Sequence, residues 1–127
     1  MTNIVGCITQ FVGYFTEMLK GIFGNASAEK VLFYIEQYGE GYATAIAKAF
    51  DGTTLHMVQR QLERFERAGL LVSGLKGRTR LYTWNPRYPF LAELRALLAK
   101  GLAALPVSER KRYFSDRRRP RRAGKPD

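Results

Sequence analysis

The chain has 127 residues, 46% of them apolar, and carries 21 Lys and Arg against 11 Asp and Glu, for a formal charge of +10. That length holds one domain with one modest core and excludes a second independent one, and the charge favours polyanionic partners, nucleic acid first and an anionic membrane surface second. A single cysteine, Cys7, excludes an intramolecular disulfide framework and suits a reducing compartment.

In residues 4–23 the apolar positions Ile4, Ile8, Phe11, Phe15, Met18 and Ile22 recur in steps of four and three, one stripe of a helix. Thr9, Gln10, Thr16, Glu17 and Lys20 interrupt this segment. It therefore falls short of the roughly 18 to 20 continuous apolar residues of a membrane span. The segment also lacks the basic start and small-residue cleavage site of a signal peptide, so a cytoplasmic location without membrane contact is expected. Gly24-Asn25 breaks the helix, and Ser27 is placed to cap the next one, which carries Val31, Leu32, Ile35 and Tyr38 and stops at Gly39-Glu40-Gly41.

A short alanine-rich helix follows over 42–50, with Ile46 and Phe50 on one side. Asp51-Gly52 then makes a turn, and Thr53 or Thr54 is a natural N-cap. The helix expected over 54–68 turns Leu55, Val58, Leu62 and Phe65 inward and ends at Gly69. Strands over 70–73 and 80–84 flank a glycine-bracketed loop, 74–78. A last amphipathic helix over 90–105 carries Leu91, Leu94, Leu97, Leu98, Leu102 and Leu105, and Pro106 closes it. The expected fold is mainly α with a small β-hairpin. It divides into a folded unit over 1–106 and a basic tail over 107–127, which holds nine Lys and Arg against three acidic residues and reads as disordered. Within that tail, Tyr113-Phe114 can dock on the domain or stack on bases.

Four stretches together resemble one family. "FGNASAEKVLFYI", "YATAIAKAF", "TTLHMVQRQLERFERAGLLVS" and "GLKGRTRLYTWN" are similar to the successive elements of the winged helix-turn-helix domain of ArsR-type and MarR-type transcriptional regulators. The resemblance covers about half the chain. It implies a winged helix-turn-helix with flanking N- and C-terminal helices, in which the third stretch is the recognition helix and the fourth the wing. It further implies a regulator, a repressor in the first instance, acting as a homodimer through residues 4–23 and 90–105. ArsR-type metal sensors carry a cysteine pair on the first of these helices, and "YATAIAKAF" has none.

The residues support the same expectation on physical grounds. A helix that enters the major groove needs one face locked to a core and the other free and polar. With Leu55, Val58, Leu62 and Phe65 inward, His56, Met57, Arg60, Arg64 and Arg67 point outward. Base contact is assigned to Thr54, His56, Met57 and Arg60, phosphate contact to Arg64, and dipole compensation to Arg67, with Thr53 and Gln61 completing the helix surface. Lys76, Arg78 and Arg80 cluster at the hairpin, and no acidic residue lies between Glu66 and Glu93; such a wing reaches the adjacent minor groove or its phosphates. Double-stranded DNA is the expected partner. A solvated helix with an ordinary Glu63-Arg67 pair, and a hairpin made basic only to guard its edges, is the plainer alternative. A winged helix that contacts protein or RNA without operator specificity is the rival reading.

Catalytic, cofactor and metal sites are not expected. No phosphate loop, paired-carboxylate motif or zinc spacing occurs, and the lone His56 has no partner at ligand spacing. Cys7, on an apolar stripe, reads as a small buried hydrophobe.

Overall fold

The computed structural model describes residues 19–50 and 52–114. In chain order the elements are α1 (Lys20–Phe23), α2 (Ala26–Tyr38), β1 (Glu40–Tyr42), α3 (Ala43–Ala49), α4 (Leu55–Arg67), β2 (Leu71–Lys76), β3 (Thr79–Trp84), α5 (Leu91–Ala104) and α6 (Val107–Phe114). The architecture is mainly helical with a three-stranded antiparallel sheet in the order β1-β3-β2. No described helix is long and apolar enough to cross a membrane. Cys7, most of the stripe over 4–23 and the arginine run after Phe114 lie outside the described residues. Ile22, the one member of that stripe that is described, is 66% exposed, and its neighbour Leu19 is buried instead.

α2 is the spine. Its N-cap is Asn25, whose Oδ1 accepts from the Ala28 amide at 2.7 Å. Ser27, expected as the cap, sits inside the first turn and is buried. From Val31 to Ile35 every residue is buried, so no side of the helix in this stretch faces water, and α1, α3, α4, α5 and β1 all pack on it. The buried Glu29 carboxylate accepts the Leu19 amide at 2.8 Å, which ties the start of α1 to the spine. At the other end Gly39 takes φ 83°, a left-handed value suited to glycine, and its amide donates to the Ile35 carbonyl.

Past Gly39 the chain does more than turn. Glu40–Tyr42 pairs with β3, Gly41 opposite Tyr82, and becomes the edge strand of a sheet rather than the loop expected there. The physical reason is close approach. A Cβ at Gly41 would lie 3.1 Å from Ile46 Cδ1 and from the Tyr34 ring, so the missing side chain lets this strand press against α2 and α3. The hairpin is also tighter than expected. β2 and β3 run to Lys76 and from Thr79, leaving only Gly77 and Arg78 in the turn. Gly77 has φ 67°, the sign that primed two-residue turns require at that position.

α4 ends in a double bond pattern: the Gly69 amide donates to Glu66 and the Leu70 amide to Phe65, at 3.0 and 2.9 Å. That is a Schellman closure, with the accompanying apolar pair Leu70 and Phe65 both buried. Val58, Leu62 and Phe65 are buried as expected, whereas Leu55 is 40% exposed. It lies roughly 60° off the centre of the inner stripe at 3.6 residues per turn, in a first turn that projects beyond the core.

In α5 the leucines divide. Leu98 and Leu102 are buried, as is Leu105 just beyond the helix, while Leu97 is exposed. Arg95 bonds Glu36 of α2 at 2.8 Å and lies over the Trp84 ring, fastening α5 to the spine and the sheet. The segment after Pro106, expected as tail, is helical through Phe114. Its Phe114 is buried, 5.7 Å from the Phe50 ring and 6.1 Å from Tyr38. Two aromatic residues on a short helix supply enough apolar area to order it against a ready-made aromatic surface.

Gly101 sets the approach of α5 to α2. A Cβ there would lie 2.7 Å from Cζ of the fully buried Phe33. Gly101→Ala should therefore destabilise the fold by about 1–3 kcal/mol in chemical denaturation, against its gain in helix propensity. Combined with Phe33→Leu it should cost clearly less than the two single changes together.

Candidate nucleic-acid interface

The start of α4 is built from its own threonines. Thr54 Oγ1 accepts from the Met57 amide at 3.1 Å and caps the helix. Thr53 Oγ1 accepts from Lys30 Nζ at 2.9 Å, which anchors the turn to α2. Each hydroxyl oxygen accepts within the protein, which positions the helix, while these bonds leave each O–H uncommitted as a donor.

Beyond the cap, His56, Met57, Arg60 and Arg67 are exposed. At about 100° per residue, Arg60 and Arg67 lie almost opposite the buried stripe of Val58, Leu62 and Phe65. Arg60 presents its guanidinium at the middle of that outer face. Arg64 lies about 40° around the helix from Arg60, and its guanidinium is engaged. Its Nη1 donates to Gln61 Oε1 at 2.7 Å and its Nη2 to the Phe23 carbonyl at 3.0 Å. It also packs over the Phe65 ring, 5.0 Å from the centroid. Arg64 thus links α1 to α4 while staying exposed, and Gln61 shares that link. The end of α1 supplies a carbonyl that no helix neighbour uses, and an arginine reaches it.

The hairpin separates the remaining cations. Lys76 pairs with Thr79, and Leu75 with Arg80, so Lys76 and Arg80 project from opposite faces of the sheet. Arg80 shares the face of Tyr82 and Trp84. There its Nη1 donates to Ser73 Oγ at 3.0 Å, and Ser73 in turn donates to Glu66 Oε2 at 2.7 Å. This relay ties β2 and β3 to α4 and holds Arg80 in place. Arg78 stands in the turn itself, exposed.

Between α4 and β3 runs a groove of about 420 Å3, lined by Thr44, Gln59, Glu63, Arg78, Arg80 and Tyr82 among others. Arg78 and Arg80 are among the residues expected at the site, whereas Thr44, Gln59 and Glu63 are not. The signal for the last two is present in the sequence: Gln59, Glu63 and Glu66 fall at i, i+4 and i+7, a single flank beside the inner stripe. Leu75, 69% exposed near the hairpin tip, is a further residue of this surface outside the expected set. Among the described residues no group of three His, Cys, Asp or Glu side chains is placed to hold a metal ion.

Tyr82 lies at the base of the groove, 7% exposed. Burial holds its phenol above the ordinary tyrosine range; Glu66 and Glu63 add to this and Arg80 opposes it. Because the folded state keeps the proton longer than the unfolded chain, this contribution to stability is complete below about pH 10 and is lost as pH rises through the raised value. Tyr82→Phe should remove that part of the alkaline loss, measured as a flatter dependence of the denaturation midpoint on pH above about 10.

Comparison with protein-family models, with curated proteins and with solved structures gave no match to this chain.

Proposed function

We propose that the chain is a winged helix-turn-helix regulator that binds duplex DNA selectively, with α4 as recognition helix and the β2-β3 hairpin as wing, in keeping with the ArsR-type and MarR-type proteins it resembles. The observation that carries this reading is the outer face of α4. His56 and Arg60 stand exposed opposite a fully buried stripe, and a basic hairpin lies across the groove beside them. An arginine with an unobstructed fork is suited to guanine in the major groove, and exposed Lys76 and Arg78 are suited to phosphates alongside. The +10 charge of the whole chain favours the encounter.

On this reading the protein is a repressor without enzymatic activity, works in the cytoplasm and binds as a homodimer. The leucines of α5 contribute little to the pairing, because most of them serve the protein's own core. What α5 leaves outside is a line of alanines, Ala92, Ala96, Ala99 and Ala103, all exposed, along which a second helix can approach closely.

A rival reading draws on a specific observation. Glu63 sits in the groove with Arg78 and Arg80, and Glu66 lies behind it. A mixed-charge cleft of that kind also suits a polypeptide or RNA segment.

Selection of duplexes from a random pool, followed by titration of variants, separates the two. Arg60→Ala should cost about 1–3 kcal/mol on the selected sequence and relax its preference. Lys76→Ala and Arg78→Ala should weaken binding to every duplex alike, and each should flatten the salt dependence by about one unit of slope, as one phosphate fewer is neutralised. Arg64→Ala should alter folding stability and leave sequence preference as it was. A wild-type protein that enriches no duplex, yet binds RNA or a protein, favours the rival; an equal loss on all duplexes for Arg60→Ala refutes its readout role.

A further inference from the structure

Two glutamates stand on the flank of α4 that faces the hairpin, and the protein treats them differently. Glu66 is engaged within the fold: its Oε2 accepts from Ser73 Oγ, which in turn accepts from Arg80. Glu63, one turn earlier, is exposed and lines the groove together with Arg78 and Arg80. Its spacing suggests an i,i+4 pair with Arg67, and that pair does not form. Among the described residues no ion pair or hydrogen bond joins Glu63 to Arg67, Arg78 or Arg80. At about 100° per residue, Glu63 lies some 20° around the helix from His56 and about 60° from Arg60. An uncommitted carboxylate therefore shares the outer half of α4 with residues assigned to base contact.

Such a group opposes binding by charge alone. Non-specific affinity for a duplex comes from phosphates neutralised by Lys and Arg, and a carboxylate among Arg60, Arg67, Arg78 and Arg80 subtracts from it. A carboxylate only accepts hydrogen bonds, so what it can take from a duplex is an amino hydrogen. In the major groove two bases offer one, cytosine at N4 and adenine at N6. Adenine sets its N7 acceptor beside the amino group, which repels a carboxylate oxygen and suits an amide instead. Cytosine presents its amino group with no acceptor of its own. On any duplex that lacks this donor the carboxylate is drawn out of water unpaired, a penalty that acts against the wrong sequence.

We infer that Glu63 is a specificity-determining residue of this surface, its carboxylate accepting the N4 amino group of one cytosine in the major groove. The assignment rests on the proposal that the chain binds duplex DNA, and the test distinguishes the two. Wild type, Glu63→Ala and Glu63→Gln, each as the full chain, select duplexes from one random pool. Each is then titrated at fixed salt on the wild-type consensus and on duplexes changed at single positions. Glu63 is exposed and outside the protein's own hydrogen-bond relay, so neither substitution disturbs the fold. The wild-type consensus should hold one cytosine whose replacement weakens binding about 5- to 150-fold. Glu63→Ala should lose the preference at that position alone and bind unselected duplexes more tightly than wild type. Glu63→Gln should move the preference from cytosine to adenine, because a Gln amide pairs with N6 and N7 together. Unchanged preference in both variants, or a gain equal on every duplex with no position altered, would overturn the role of Glu63 and leave duplex selection standing. A wild-type chain that enriches no duplex would overturn both.

Discussion

Everything in this fold is referred to the complete burial of Val31 through Ile35 in α2. An amphipathic helix covers one stripe and leaves the rest wet; residues 31–35 of this one are covered on every side, so each neighbour must find its place against them. Two glycines make that possible. Gly101 brings α5 onto Phe33, and Gly41 brings the edge strand onto Tyr34 and Ile46. Close-packed interiors transmit small displacements, so the three-stranded sheet and the turn before α4 share one reference frame. Lys30 completes the frame from the same helix, holding the turn at Thr53.

The exposed surface of α4 is shaped by what its cations already touch. Five donors on a planar fork seek acceptors, and an arginine near a spare carbonyl or carboxylate is taken up by its own protein. Arg64 is taken by Phe23 and Gln61, and Arg80 by Ser73 with Glu66 behind it. Arg60, Arg67 and Arg78 stay at the surface. The two engaged arginines are held in fixed positions, one bracing α1 and the other stiffening the hairpin against α4. A hairpin tied down in this way leaves Arg78 a more rigid base.

The aromatic cluster at the other end gives the C-terminal segment a defined root. Tyr113 and Phe114 lie against Phe50, at 5.1 and 5.7 Å, and Phe114 also meets Tyr38. Phe50 is the residue from which the chain enters the turn to α4.

The order of helices, the hairpin, the capping of α4 by Thr54 and the buried stripe of Val58, Leu62 and Phe65 were legible in the sequence, because period, cap chemistry and glycine breaks act over a few residues. So was the outward placement of His56 and Arg60, which follows from helix geometry alone. What the sequence could not determine depends on partners distant along the chain. Glu40–Tyr42 is a strand because β3 lies beside it, Arg64 is engaged because the Phe23 carbonyl is near, and Phe114 packs against Phe50 and Tyr38. Local propensity is a property of neighbours in sequence. Pairing, close approach and the capture of a charged side chain are settled by neighbours in space, and those exist only once the helix from Ala26 to Tyr38 has been enclosed.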